Sequence, residues 1–149
     1  MQEPLGMLIA AARRRIKQAV LGRLTGRHMT SQQFWFLIAI REHPGISQSE
    51  LGHRVRADAP TTSRVVAAMG KRGLVRAELD PEDRRRTRLS LTSEGERVAR
   101  ELAPIARDVR EAVVAGMSDE EIAAMRQGLK RIIANMDRFD AVAPRRRRA

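Results

Sequence analysis

The chain has 149 residues, 29 of them Lys or Arg and 18 Asp or Glu, which gives a formal net charge of +11. It has no cysteine, which excludes disulfides, thiolate metal sites and cysteine-based redox sensing. It has no 18-residue apolar run, and its first arginines follow the apolar N-terminal stretch instead of preceding it. We therefore expect one domain in the cytoplasm, without a membrane span or a signal peptide.

The positive charge is clustered along the chain. Residues 13–27 carry six bases and no acid, and residues 61–88 carry eight bases against four acids. Four more arginines, Arg145–Arg148, lie in the segment 141–149, which has no apolar pattern and is predicted to be a disordered basic tail. Solubility alone would not require clustering, so the clusters favour a polyanionic partner such as nucleic acid.

The first predicted helix spans residues 4–24. Its apolar positions recur at helical spacing and consist of Leu5, Leu8, Ile9, Ala12, Ile16, Val20 and Leu24. The opposite face is basic. We expect this helix to pack against the C-terminal helices of the chain, and attachment to a membrane surface is the alternative.

A second helix is predicted to begin at Thr30, because Gln33 follows it at the spacing of a capping box. The sequence Phe34-Trp35-Phe36 holds three of the four aromatic residues of the chain. Phe34 is expected in the core and the other two on other faces of the helix. Such a cluster indicates either core packing or a ligand pocket, and packing is the better supported of the two.

Two further helices and two strands are predicted between residues 46 and 92. Ser47 and Glu50 have capping-box spacing, and Asp58 followed by Pro60 is typical of the start of the next helix. Gly73 ends that helix. Residues 74–79 and 88–92 show strand patterns, joined by an arginine-rich turn. This order predicts a winged helix-turn-helix, in a fold that is mainly α-helical with a small β-hairpin.

Two long helices are predicted after the hairpin. Thr92 caps the first, and Ser118 with Glu121 forms a third capping box at the start of the second. Together with the first helix they carry more apolar surface than one small winged helix can bury, which predicts a two-fold dimer. The expected organisation is a dimerisation helix at 1–29, a DNA-binding lobe at 30–92, dimerisation helices at 93–140 and the tail.

The N-terminal end of the second helix of the pair is the segment that meets base edges in a helix-turn-helix. We expect contacts there from Thr61, Thr62, Ser63 and Arg64. Ser47 and Gln48 are predicted to touch the DNA backbone. Narrow grooves attract arginine, so the hairpin tip is predicted to enter a minor groove or contact flanking phosphates with Arg84, Arg85 and Arg86. Asp83 is predicted to hold Arg85 by a charge-assisted hydrogen bond and so to aim it.

These segments resemble the MarR family of bacterial transcription regulators. The resemblance rests on residues 44–51, Thr61-Thr62-Ser63-Arg64, residues 72–75 and, most specifically, Asp80-Pro81-Glu82-Asp83-Arg84-Arg85 followed by Leu89-Ser90-Leu91-Thr92-Ser93-Glu94-Gly95. The sequence departs from the family pattern at two positions. Gly52 stands where the family usually has alanine, and Gly70 where it often has glutamate.

The resemblance implies a homodimeric repressor that leaves a palindromic operator when it binds a small phenolic or aromatic-acid effector. That effector would lie between the DNA-binding lobe and the dimer helices. Candidate residues for its pocket are Arg15, His28, Met29 and Trp35. A position at the bacterial nucleoid would follow.

No arrangement of residues indicates an enzyme, a metal site or a cofactor. His28, His43 and His53 lack metal-ligand spacing, and nucleophile, phosphate-loop and dinucleotide motifs are absent from the sequence. Two alternatives remain open: a non-specific architectural nucleic-acid binder, and a winged helix that docks another protein.

Overall fold

The computed structural model describes residues 2–142. The elements in this part of the chain are α1 (Leu5–Arg23), α2 (Ser31–Glu42), β1 (Ile46–Ser47), α3 (Gln48–Val55), α4 (Ala59–Lys71), β2 (Val75–Leu79), β3 (Thr87–Leu91), α5 (Ser93–Val114) and α6 (Asp119–Val142). The predicted mainly helical winged helix-turn-helix is confirmed. None of the described helices is long and apolar enough to cross a membrane.

The chain divides into two units, residues 1–113 and 114–149. The first unit holds the sheet and the helices α1 to α5, and the second holds α6. Helix α6 continues to Val142, so it includes the first two residues of the segment that was predicted to be a disordered tail. The rest of that predicted tail, 143–149, lies outside the described residues.

The helix starts follow the predicted capping residues. Capping boxes form at Thr30, Ser47 and Ser118, where each hydroxyl accepts a backbone N–H and the side chain three residues later accepts the N–H of the cap. Asp58 caps α4 by accepting the N–H of Thr61 at 2.7 Å. Each such cap contributes about 1 kcal/mol, so these helix starts are determined by local sequence.

The sheet has three antiparallel strands, with β3 between β1 and β2. The β2–β3 hairpin was predicted, whereas β1 was not. Strand β1 has only two residues, which pair as Ile46 with Leu89 and Ser47 with Arg88. Because Ser47 is also the N-cap of α3, this pairing joins the start of α3 to a strand of the wing.

Helix α2 lies at the centre of the first unit. Six of its twelve residues are buried, and Phe36, predicted to face away from the core, is 1% exposed. A helix that is apolar on most sides is expected to be surrounded by other elements. Trp35 is only half-buried and packs edge-on against Phe34, with 4.8 Å between ring centroids. The aromatic cluster is therefore chiefly core packing.

A close junction fixes the start of α5. The backbone N–H of Thr92 donates to the carbonyl oxygen of Leu74 at 3.1 Å. The Thr92 hydroxyl donates to the carbonyl oxygen of Gly73 at 2.5 Å. The same hydroxyl accepts the N–H of Gly95 at 3.0 Å. A Cβ on Gly95 would lie 1.9 Å from the Leu74 carbonyl oxygen. Helix α5 therefore begins in direct backbone contact with the segment that leads into β2.

Candidate nucleic-acid interface

The first turn of α4 presents polar side chains to solvent. Ser63 and Arg64 are exposed and Thr61 is half-buried. Hydrogen bonds from Thr61 hold the pKa of the Asp58 carboxyl below its usual range, so the cap is an ionised carboxylate at the positive end of the helix dipole. The Arg64 guanidinium lies along this turn, with Nη2 3.3 Å from Thr61 Oγ1. Three of the four predicted base-contacting residues are thus accessible.

Thr62 is the exception, and its prediction as a DNA contact is wrong. It is 1% exposed, and its hydroxyl donates to the carbonyl oxygen of Asp58 at 2.8 Å. It lies one turn before Val66 on the buried face of α4. A Cβ on Gly52 of α3 would lie 2.8 Å from Thr62 Oγ1. Thr62 therefore fills the space that an alanine at position 52 would need, which accounts for glycine at that position.

The start of α3 offers side chains that differ in availability. The Ser47 hydroxyl donates to Glu50 Oε2 at 2.7 Å and accepts the N–H of Glu50 at 3.2 Å. It is therefore already committed to the cap. Gln48 is half-buried, and Ser49, which the sequence analysis did not select, is exposed. The position of Ser49 within the first turn of α3 could have identified it as a candidate DNA contact.

The structure brings the start of α3 and the wing together. A groove of about 370 Å³ runs between them and is lined by Ser47, Gln48, Ser49, Glu50, Arg85, Arg86 and Thr87. Hydrogen bonds from Ser47, with a smaller contribution from the charge of Arg86, hold the pKa of Glu50 below its usual range. Two segments predicted independently to contact DNA are therefore neighbours on one surface.

The wing tip corrects the predicted role of Asp83. Its Oδ1 accepts the backbone N–H of Arg85 at 3.0 Å, and its Oδ2 lies 3.8 Å from Arg86 Nε. The bond to Arg85 is thus made to the backbone and not to the guanidinium, as in turns in which an aspartate binds the backbone two residues on. No ion pair of the Arg85 side chain occurs within residues 2–142. Asp83 shapes the turn that carries Arg85.

A second carboxylate, Asp80, anchors the base of the wing. Asp80 is 8% exposed. Its Oδ2 accepts Arg88 Nε at 2.8 Å and its Oδ1 accepts the N–H of Glu82 at 2.9 Å. The bond from Arg88 holds the pKa of Asp80 below its usual range. The sequence analysis named Asp80 only as part of the motif that carries the family resemblance, although an acid after one strand and an arginine on the next was a usable signal.

The four candidate effector residues differ in their surroundings. Arg15 and His28 are exposed, Met29 is buried and Trp35 is half-buried. None of these four residues lines the groove between the α3 start and the wing. The cation next to Trp35 is Arg110 of α5, whose guanidinium carbon lies 5.6 Å from the ring centroid, a residue that the sequence analysis did not select.

Known proteins are similar to this chain in sequence. The MarR family pattern matches residues 29–86. The chain is 38% identical over 93 residues to the transcriptional regulator HosA of Escherichia coli O111:H-, which covers 62% of this chain and 69% of HosA. It is 30% identical over 131 residues to the HTH-type transcriptional repressor NicR of Pseudomonas putida, covering 88% of this chain and 83% of NicR.

A solved structure is similar as well. It is the structure of BpsR from Bordetella bronchiseptica, whose DNA binding is regulated by 6-hydroxynicotinic acid. It superposes with a TM-score of 0.72 at 25% identity, covering 87% of this chain and 93% of BpsR. HosA and NicR, like the matching family, are described as transcriptional regulators and not as enzymes.

Proposed function

The chain belongs to the MarR family of transcriptional regulators, and on this premise we propose that it is a homodimeric repressor that binds a palindromic operator in double-stranded DNA. The observation that carries the proposal is the single surface formed by the α3 start and the wing arginines, together with the exposed first turn of α4. Such a regulator acts at the nucleoid, in the cytoplasm.

The proposed contacts follow from exposure and chemistry. The first turn of α4 enters the major groove, where Ser63 and Arg64 reach base edges and Thr61 supports them. Gln48 and Ser49 bind phosphates at the start of α3. Arg85 enters the minor groove next to the recognition site. Arg84 and Arg86 bind the neighbouring phosphates.

Dimerisation is supported by apolar side chains that lie on the surface of a single chain. In the first unit, α1 leaves Leu5 67% and Leu8 45% exposed. In the second unit, none of residues 119–141 of α6 is buried, and this helix exposes Met125, Leu129, Ile133, Met136 and Phe139. Exposed apolar stripes of this length are typical of protein interfaces. Residues 1–29 and 93–140 are therefore the proposed dimerisation segments, and residues 30–92 the DNA-binding lobe.

The proposed effector is a small aromatic or phenolic compound that releases the repressor from DNA. Its support is that DNA binding by BpsR is regulated by 6-hydroxynicotinic acid, and that NicR is a repressor. The proposed pocket contains Arg15, His28, Met29 and Trp35, with Arg110 beside the indole ring.

Changing Arg64 to alanine tests the proposed reading of bases by α4. The operator is first selected from a random duplex pool with the unaltered chain. The variant is then expected to bind the operator with a binding free energy about 1–3 kcal/mol less favourable, and to lose its base preference at one position in each half-site. Binding isotherms at one fixed salt concentration measure both effects. Arg100→Ala, which removes an exposed arginine of α5, is the matched control. Unchanged affinity and unchanged preference for Arg64→Ala would show that α4 does not read the sequence.

Light scattering tests the proposed dimer. The full chain is expected to have about twice the monomer mass. Phe139→Glu places a charge on a side chain that is 68% exposed in the single chain. It is expected to weaken the dimer at least ~10-fold, because a buried interface penalises a charge. Circular dichroism should show unchanged helix content, and Gln32→Glu, at an exposed position outside the proposed dimerisation segments, is the charge control. A folded monomer of the unaltered chain at micromolar concentration contradicts the proposal.

A further inference from the structure

The connector between α1 and α2, residues 24–30, has a backbone conformation that needs support from outside the connector. His28 has a φ of 47°, in the left-handed region, which is costly for a residue with a Cβ. Gly26, with a φ of 79°, adopts the same region without this cost. A left-handed residue such as His28 persists where the surrounding structure holds it.

The side chain of Arg72 supplies this support from the C-terminal end of α4. Its Nη1 donates to the carbonyl oxygen of His28 at 3.1 Å and to Gln33 Oε1 at 3.4 Å. Its Nη2 donates to the carbonyl oxygen of Arg27 at 3.4 Å. Gln33 Oε1 also accepts the backbone N–H of Thr30. One guanidinium therefore joins the end of α4 to the connector and to the start of α2.

The connector is held from α5 as well. Arg27 Nη1 donates to Glu101 Oε2 at 2.7 Å, and Glu101 Oε1 accepts Arg97 Nη1 at 2.6 Å. Arg27 thus binds Arg72 through its carbonyl oxygen and Glu101 through its side chain, so a single residue links α4 to α5. The side chains of Arg27 and Glu101 are 38% and 41% exposed. Exposed ion pairs contribute little to stability, so this network connects elements more than it stabilises the fold.

The position of Arg72 at one end of α4 gives it leverage over the other end. Helix α4 has 13 residues, so about 18 Å separates its C-terminal end from its first turn at 1.5 Å per residue. A tilt of about 5° at one end would move the other end by roughly 1.5 Å over this length. Hydrogen bonds to bases do not tolerate such a displacement. A small change where Arg72 is held therefore changes how the first turn fits a groove.

We propose that Arg72 is a positioning residue for base reading, which couples the placement of α4 to the connector and, through Arg27 and Glu101, to α5. Its effect on DNA rests on the proposed function, whereas the coupling itself is a property of the free chain. Lys71, the neighbour of Arg72, is also exposed, and it forms no ion pair or side-chain hydrogen bond within residues 2–142. Lys71→Gln is therefore the matched control, because it removes the same charge without breaking the network.

The coupling is tested first without DNA, by the amide spectrum of the ¹⁵N-labelled full chain. Glu101→Ala is expected to shift the signals of Ser63 and Arg64 in the first turn of α4. In the Arg72→Gln chain the same substitution is expected to leave both signals unchanged, because the connection is already broken. Glu111→Ala, which removes another exposed acid of α5, is the control. The absence of shifts at Ser63 and Arg64, or equal shifts in both backgrounds, would overturn the proposal.

Isotherms with the selected operator and with random duplex measure the consequence for DNA binding. Arg72→Gln is expected to weaken operator binding about 10-fold more than Lys71→Gln does, and random binding by the same small factor as that control. Glu101→Ala is expected to weaken operator binding about 3-fold, although the loss of an acid alone favours DNA binding. It is expected to have no further effect in the Arg72→Gln chain.

Two results of these isotherms would overturn the proposal. One is an equal loss of operator binding in Arg72→Gln and Lys71→Gln, which would reduce Arg72 to its charge. The other is a loss caused by Glu101→Ala that is the same in both backgrounds, since independent sites are additive. Failure of the unaltered chain to select any duplex would count against the proposed function instead, and the amide spectra would still test the coupling.

Discussion

Replacing Gly95 by alanine is expected to leave the chain without a stable fold. The new Cβ would lie 1.9 Å from the carbonyl oxygen and 2.9 Å from the carbonyl carbon of Leu74. These are backbone atoms, so no side-chain rotation relieves the contact. Separating α5 from this segment also breaks the bonds from Thr92 to Leu74 and Gly73. Overpacking costs about 1–3 kcal/mol or more and each lost hydrogen bond about 1 kcal/mol, a large part of a total stability of about 5–15 kcal/mol.

Urea unfolding followed by circular dichroism measures this effect. Gly70→Ala is the matched control in the same unit, because its Cβ would meet only an ordinary contact at 3.7 Å from the carbonyl oxygen of Val75. The free energy of unfolding of this control is expected to rise by about 0.5–1 kcal/mol, since alanine is more favourable than glycine inside a helix. An unfolding midpoint of Gly95→Ala equal to that of the unaltered chain would contradict the close backbone contact between α5 and Leu74.

Replacing Arg85 by alanine is expected to weaken operator binding by about 10- to 100-fold and binding to random duplex by much less. On the proposed function, the guanidinium occupies one groove in one register, so its contact exists only in the specific complex. A non-specific complex loses one of many screened charges instead. Isotherms with operator and random duplexes at the same salt concentration give the two ratios. Equal losses on both duplexes would show that the wing is only a charged loop.

Two variants of Asp83 separate the turn from its charge in the same isotherms. Asp83→Asn keeps an oxygen that can accept the Arg85 N–H and removes the negative charge, so it is expected to bind the operator at least as tightly as the unaltered chain. Asp83→Ala removes the acceptor as well and is expected to resemble a weaker Arg85→Ala. If both variants tighten binding equally, the bond to the backbone of Arg85 does not position the wing.

Features that depend on residues close in sequence were predictable. The capping boxes at Thr30, Ser47 and Ser118 each need only two side chains three positions apart, and all three form. The hairpin and the end of α4 before Gly73 likewise follow from local backbone preference. These elements fix the order of the winged helix-turn-helix.

The features that sequence reasoning missed depend on contacts between residues far apart in the chain, or on which face of a helix a residue occupies. Four consecutive positions, 61–64, were assigned to one exposed face, although a helix turns by about 100° per residue and one of them must face inward. Thr62 is that residue, and its neighbour is Gly52 on another helix. Strand β1 is too short to show alternation, and only its pairing with β3 defines it. Asp80 likewise required its partner Arg88 across the hairpin.

The pairing of β1 with β3 has a consequence for the DNA that this protein would recognise. Ser47 caps α3 and also lies opposite Arg88 in the sheet, so the sheet joins the start of α3 directly to the wing. One additional base pair between their two contact points would rotate one contact by roughly 35° and displace it by about 3.4 Å. A two-residue strand cannot absorb such a change. On the proposed function, the length of each half-site is therefore expected to be as characteristic as its bases, and natural operators should align without gaps inside a half-site.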